Sequence, residues 1–318
     1  MFVTYSLLIF GFLILIKGAS WLVDGASSLA ARYGIPSLVI GLTIVSLGTS
    51  APELAVNILA GIRGSSDLAV GNILGSNIAN IFLILGIAAV IYPVSLQRNT
   101  IWKEIPFSLL AVLVLFFVAN DISINGDPIA VLSVSDGLIL ISFLLIFLYY
   151  VYAIAKDSNE EITPIKKRSI EITVLMITAG ILGLFFGGKW IVEGAVQLAG
   201  HFGVSETLIG LTIVAVGTSL PELATSMAAA YKRQSDILVG NIVGSNIFNI
   251  FFILGILAVI TPTSFKPELN FDILIVLTAT LFLFLFMFIG KKHKLERWQG
   301  ISFVLFYIGY LTFIILRG

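Results

Sequence analysis

The chain has 318 residues, 58% hydrophobic and only 11% charged, where a soluble domain carries about 25% charged residues. That balance excludes a water-soluble globular protein and describes an integral membrane protein built mostly of spanning helices. Basic and acidic residues cancel at 18 each, no basic stripe with interleaved aromatics invites nucleic acid, and the absence of cysteine excludes disulfides, thiolate metal centres and cysteine nucleophiles.

A helix needs about 20 predominantly apolar residues to cross a bilayer. Ten runs qualify: 3–31, 36–62, 68–93, 102–119, 136–155, 170–199, 205–230, 237–261, 271–290 and 299–316. The first lacks a basic n-region and a small-residue cleavage site, so it is expected to be a span and not a removed signal peptide. The runs are long and continuous instead of alternating, which predicts helices over a strand barrel. The only extended polar stretch is 156–168 (KDSNEEITPIKKR), a linker between five spans in 1–155 and five in 169–318. With these ten spans, loops on one side hold thirteen Lys and Arg residues; the other side holds only Arg63, Lys266 and Arg317. Basic loops stay in the cytoplasm, so the linker is expected there and both termini outside.

The two halves repeat one another. Gly41–Pro93 and Gly210–Pro262 align without a gap at an offset of 169, with 34 of 53 positions identical. The correspondence reaches into the first span of each half, where Trp21, Asp24 and Gly25 match Trp190, Glu193 and Gly194. Because each half has an odd number of spans, the repeats are expected to cross the membrane in opposite senses. Such inverted repeats bring equivalent residues together near mid-depth. The predicted fold is therefore all-α and polytopic, ten transmembrane helices in two inverted five-helix repeats.

One shared motif carries chemistry. Gly48-Thr49-Ser50-Ala51-Pro52-Glu53 and Gly217-Thr218-Ser219-Leu220-Pro221-Glu222 sit in the middle of the second and seventh spans. A carboxylate at membrane depth is costly unless a charge compensates it. A proline inside a helix leaves the carbonyl four residues back without its donor, here Gly48 and Gly217, and opens that turn. Carbonyls, hydroxyls and a carboxylate within one turn are hard oxygen ligands suited to Na⁺ or Ca²⁺. Neither His201 nor His293 lies nearby in sequence, which argues against zinc. The third and eighth spans add Asn72, Ser76 and Asn80, and Asn241, Ser245 and Asn249, spaced to share one helix face. Gly71 and Gly75, like Gly240 and Gly244, have the small-xxx-small spacing that lets helices approach closely.

Plainer readings stand beside these. The two glutamates could form structural ion pairs or stay protonated, and the Asn/Ser stripes could simply bond helix to helix. Asp24 and Glu193, near helix ends, are expected to be structural, and Lys189 and Glu193 form an i,i+4 pair. Lys17 has no charged counterpart in the second half, where Phe186 stands.

The duplicated G-T-S-x-P-E followed by G-N-x-x-G-S-N-I-x-N resembles the two alpha repeats of the sodium/calcium exchanger family within the cation/Ca²⁺ exchanger superfamily, particularly its prokaryotic members. The resemblance covers the ten-span layout and is most specific over 41–93 and 210–262. It implies four ion positions between spans two, three, seven and eight, with Glu53 and Glu222 as central ligands shared by Ca²⁺ and Na⁺. It further implies that Ser50, Ser219, Ser76 and Ser245 complete outer Na⁺ positions with Thr218. Backbone carbonyls of Ser46, Thr49, Ala215 and Thr218 join as ligands, and Asn80 and Asn249 line the centre. The long first and sixth spans would slide to open one face and then the other. Some members, including potassium-dependent ones, carry aspartate at the position of Asn249; asparagine in both repeats here weakens any case for K⁺ co-transport.

Two carboxylates balance one Ca²⁺. Family stoichiometry of three Na⁺ would leave the loaded site near +1, making exchange electrogenic. Moving one charge through 100 mV is worth about 2.3 kcal/mol. The expected function is thus Na⁺/Ca²⁺ exchange by alternating access in the plasma or inner membrane, with Na⁺ and Ca²⁺ as cargo, the bilayer as surroundings, no resident cofactor, and a monomer as the working expectation. The alternative is a Ca²⁺/H⁺ antiporter, whose members typically read G-N-x-x-E where this chain has Gly71-Asn72-Ile73-Leu74-Gly75 and its repeat. A cation channel is a further alternative, disfavoured by the inverted duplication. An intramembrane hydrolase is not expected, because no Ser/His or His-x-x-x-His arrangement exists.

Overall fold

Helices account for almost all regular structure in the computed structural model, which describes residues 2–64, 66–120, 130–157, 168–201 and 215–317. They are α1 Phe2–Tyr33, α2 Ser37–Thr49, α3 Ala51–Ile62, α4 66–91, α5 Thr100–Ala119, α6 Val134–Asp157, α7 Ile170–His201, α8 Ala215–Thr218, α9 Leu220–Tyr231, α10 Ser235–Ile260, α11 Pro267–Phe286 and α12 Arg297–Arg317. Among the described residues, eight helices are long and apolar enough to cross a membrane, and the bent pair α2–α3 makes a ninth. The expected run 205–230 is seen only from Ala215, as α8 and α9; its beginning lies outside the described residues. In hydrocarbon each backbone polar group must be satisfied within its own segment, which is why apolar runs of this length fold as helices. Their outward faces remain apolar, with Ile9, Leu13, Ile16, Leu145, Tyr149 and Leu305 exposed.

One expectation needs correction. The run 271–290 does not stay helical to its end: α11 stops at Phe286. Gly290 takes φ 80°, and the Glu296 carboxylate accepts the Lys291 N–H at 3.2 Å, so the chain turns instead. Among the described residues there are also four two-residue strands in antiparallel pairs, β1 Val94–Ser95 with β4 Lys294–Leu295, and β2 Val131–Leu132 with β3 Thr263–Ser264. β1 and β3 each follow a proline, Pro93 and Pro262, that helps end the helix before it.

The described chain divides into two compact units, 1–52 with 154–241, and 53–153 with 242–318. Neither coincides with a repeat, because each takes helices from both halves.

In the first unit, α1 and α7 run antiparallel along a seam of glycines seven residues apart, two helical turns. A Cβ on Gly18 would lie 2.9 Å from Gly180 O, and one on Gly187 would lie 2.9 Å from Gly11 O. At the offset of 169, Gly11 matches Gly180 and Gly18 matches Gly187, so each contact is the image of the other. The same exchange recurs further out, where Gly25 meets Ile177 and Gly194 meets Leu8. It recurs again in hydrogen bonds, Thr4 to Gln197 at 2.9 Å and Ser28 with Thr173 at 2.9 Å. Equivalent helices therefore meet by a self-complementary surface, as in an isologous interface. Elsewhere in this unit Gly41 and Gly240 meet backbone to backbone, a Cβ on Gly240 lying 2.7 Å from Leu38 O.

The second unit has image contacts of its own. Gly86 of α4 abuts Gly300 of α12, and Gly255 of α10 abuts Gly137 of α6. Phe82 packs on Phe306 with ring centroids 5.7 Å apart, and its repeat counterpart Phe251 packs on Phe143 at 5.4 Å. Two further polar links tie its helices, Tyr150 donating to Glu104 and Tyr310 donating to Asp272 at 2.7 Å.

Candidate functional site

The G-T-S-x-P-E motif interrupts its helix at the serine. Ser50 (φ −81°, ψ 5°) separates α2 from α3, and Ser219 (φ −88°, ψ 3°) separates α8 from α9. Each proline stands second in the new helix, where no intrahelical donor is required. In the first repeat the span bends by 47° at this break, which is the opened turn expected ahead of the proline. A helix that restarts here presents the first-turn glutamate with its side chain beside the break, and Glu53 and Glu222 are each 1% exposed.

In the first unit the Ser50 hydroxyl donates to Glu222 Oε1 at 2.8 Å. Glu222 Oε2 is buried with no hydrogen-bond partner among the described residues. The Thr49 hydroxyl lies 3.0 Å from Asn241 Oδ1 and 3.2 Å from the Ser46 carbonyl. Asn241 in turn donates to Ser226 Oγ at 3.1 Å, which fixes its amide. The Ser46 carbonyl also accepts the Ser50 N–H at 2.9 Å, while the Ser46 hydroxyl bonds back to Leu42 O at 2.8 Å. Thr218 and Ser219 are buried, and Ala215 opens α8. A bare carboxylate oxygen removed from water is expensive, and a cation offsets it with least rearrangement.

The second unit holds Glu53 with Ser76 and Ser245, all buried, and a cluster of carboxamides. Asn72 donates to Asn57 Oδ1 at 3.1 Å, the image of the Asn241–Ser226 bond. Asn80 and Asn249 lie at the start of matching π-helical turns, Ala79–Leu85 and Asn249–Leu254. A π turn adds a residue to the helical repeat, and such turns frequently mark functional positions. Asn80 Nδ2 donates to Asn246 Oδ1 and Asn249 Nδ2 to Asn77 Oδ1, both at 2.9 Å. Asn80 Oδ1 and Asn249 Oδ1 are buried without a partner among the described residues.

Asn57, Asn77, Ser226 and Asn246 are therefore part of these clusters although motif reading passed over them. The available signal was their polarity inside apolar runs, and for Asn77 and Asn246 their identity in both repeats. The donor set is carboxylate, hydroxyl, carboxamide and carbonyl oxygen. Among the described residues, no three His, Cys, Asp or Glu gather as a soft or transition-metal centre. The acidic residues expected to be structural do pair with lysines. Lys232 Nζ meets Asp24 Oδ1 at 2.6 Å and Ser20 Oγ at 2.8 Å, and Lys189 lies 3.8 Å from Glu193.

Comparison with known proteins adds to this geometry. The family model for the sodium/calcium exchanger protein matches residues 3–153 and 172–316. The chain is 38% identical to inner membrane protein YrbG of Escherichia coli K12, across 84% of this chain and 83% of that one. It is 32% identical to sodium/calcium exchanger MaX1 of Methanosarcina acetivorans, across 98% of both. Among solved structures, the sodium-calcium exchanger NCX_Mj soaked with 2.5 mM Na⁺ and 10 mM Sr²⁺ superposes with a TM-score of 0.85 at 29% identity, across 98% of both chains. With buried oxygen clusters on a duplicated helical membrane scaffold and matches over nearly its whole length, the chain belongs to the sodium/calcium exchanger family.

Proposed function

We propose that this membrane exchanger exchanges Na⁺ for Ca²⁺ by alternating access, electrogenically and without K⁺. The observation that carries the reading is Glu222, fully buried, with one oxygen held by Ser50 and the other bare. Ions are held by the carboxylates of Glu53 and Glu222, the hydroxyls of Ser50, Ser219, Ser76, Ser245 and Thr218, carboxamide oxygens of Asn80 and Asn249, and carbonyls of Ser46, Thr49, Ala215 and Thr218. Two carboxylates neutralise one Ca²⁺, and Na⁺, similar in size and ligand preference, competes for the same oxygens only when several bind. Occupancy by one cargo excludes the other, which is the basis of exchange. A cage without its cation leaves buried negative charge uncompensated, which disfavours the transition and limits leak.

Ten spans in two inverted repeats, with both termini outside, fit the antiparallel seam of α1 and α7 and its reciprocal contacts. In this reading α1 and α7 slide along α2 and α9, where small residues meet them, such as Gly188 against Pro221. Proton coupling is the alternative. It is disfavoured because Gly75 occupies the position of the signature glutamate although a Cβ there would meet nothing within 4 Å.

The test is Ca²⁺ flux in proteoliposomes with Na⁺, K⁺ and H⁺ gradients imposed separately. Uptake driven by Na⁺ alone, and abolished in both Glu53→Gln and Glu222→Gln, is expected. Uptake driven by protons alone establishes the alternative, and retained uptake in either variant removes that glutamate from the site.

A further inference from the structure

The second unit contains a ring of four carboxamides whose wiring crosses between the repeats. Asn77 and Asn246 are equivalent at the offset of 169, and each donates to the backbone carbonyl of the other, at 3.2 and 3.4 Å. Those carbonyls can only accept, so they fix which end of each amide is nitrogen. Each Oδ1 must then point the other way. There Asn77 Oδ1 accepts from Asn249, and Asn246 Oδ1 accepts from Asn80, both at 2.9 Å. The orientation is passed on once more. With Nδ2 committed to the inner pair, Asn80 and Asn249 must turn Oδ1 away from it, and those two oxygens are the buried acceptors left without a partner. All four residues are at most 1% exposed, so water does not compete for these bonds.

We propose that Asn77 and Asn246 are positioning residues for ion binding, each aiming the carboxamide oxygen of the other repeat's outer asparagine at the transported cation. The proposal rests on the reading that Asn80 and Asn249 line the ion site. Its content is the crossed wiring: Asn77 serves Asn249, and Asn246 serves Asn80. An amide free to rotate would present either its oxygen or its N–H to a cation, and the N–H repels it. The inner pair removes that second choice. Packing alone gives no reason for an inner asparagine to act on the opposite repeat's ligand in preference to its own neighbour three residues on.

A double-mutant cycle on cation affinity reads this directly. Na⁺-driven Ca²⁺ uptake by the full-length protein in proteoliposomes is measured for Asn77→Ala, Asn249→Ala, Asn80→Ala and the doubles. Asn77→Ala is expected to raise the KM for Ca²⁺ about tenfold, on the scale of one buried hydrogen bond, with the maximal rate within about threefold of the parent. Asn77→Ala/Asn249→Ala should match Asn249→Ala alone, while Asn77→Ala/Asn80→Ala should multiply the two losses.

Losses that multiply in the 77/249 pair as they do in the 77/80 pair overturn the positioning claim, as does an Asn77→Ala variant that loses only maximal rate. If Asn80→Ala and Asn249→Ala leave KM unchanged, the underlying site reading falls and the proposal falls with it, a result distinct from failure of the wiring. Should Asn77→Ala not fold, the image cycle of Asn246→Ala with Asn80→Ala and Asn249→Ala carries the same test.

Discussion

Two seams in this protein join helices that are equivalent in sequence, and they are made of opposite materials. Along α1 and α7 in the first unit the contact is glycine against backbone, with hydroxyl and amide bonds only toward the ends. Between α4 and α10 in the second unit it is a ring of directional amide bonds at the centre. Both are reciprocal, so local two-fold pairing does not dictate the chemistry of the contact. A seam of small residues lets the two backbones approach closely, which suits a pair of helices proposed to move together. Amide bonds fix both distance and direction, which suits oxygens proposed to line an ion site.

The largest expected effect comes from filling the glycine seam. A Cβ on Gly180 would lie 2.7 Å from Leu22 N, a backbone atom that cannot step aside cheaply. Gly180→Ala should cost about 1–3 kcal/mol through overpacking, seen as a lower thermal unfolding midpoint in detergent. Gly11→Ala, its image, should behave alike, whereas Gly75→Ala, with nothing within 4 Å, should stay near the parent. Equal effects at all three would erase the distinction drawn for the seam.

Next in size is Ser50→Ala, which removes the hydroxyl donor from Glu222 Oε1 while leaving its charge. A hydrogen bond to a charged group is worth about 1.5–3 kcal/mol, so the KM for Ca²⁺ should move by about tenfold or more, in a direction that sharpens the reading. A weaker affinity marks the hydroxyl as a ligand or orienting donor; a tighter one marks it as a competitor of the cation. Acidification should act in one direction only. Protons and cations compete for the same carboxylates, so the KM for Ca²⁺ should rise as pH falls, and a flat profile counts against glutamate ligation.

The smallest effect is expected from the ion pair that ties α9 to α1. Lys232 and Asp24 keep 29% and 37% of their side-chain surface exposed, and pairs of that kind contribute about 0–1 kcal/mol. Asp24→Asn should therefore leave unfolding almost unchanged and alter the exchange rate by less than about fivefold, with less difference at high salt. A large loss of transport would place this pair among the groups that hold the helices during the cycle.

Much of the architecture was legible in particular residues. Long apolar runs located the spans because hydrocarbon leaves a backbone no other way to satisfy itself. The 169-residue offset identified matched glutamates, serines and glycines, whereas the glycine face at 11, 18 and 25 showed itself only in the packing of α1 on α7. The asparagine stripe was read less well. Ideal helical spacing put Asn72, Ser76 and Asn80 on one face, but the chain enters a π turn at Ala79, and Asn72 is held by Asn57 while Asn80 is held by Asn246. The prolines were read to the right turn, because the donor missing at Pro52 and Pro221 weakens the turn before each.

The amino-acid sequence by itself determined what is apolar, what repeats, and which oxygens are buried in the membrane, because these follow from composition and local periodicity. Only the tertiary structure decided which amide accepts from which, and which oxygens are left without a donor. Those outcomes depend on partners 166 to 172 residues away along the chain, and no local pattern encodes them.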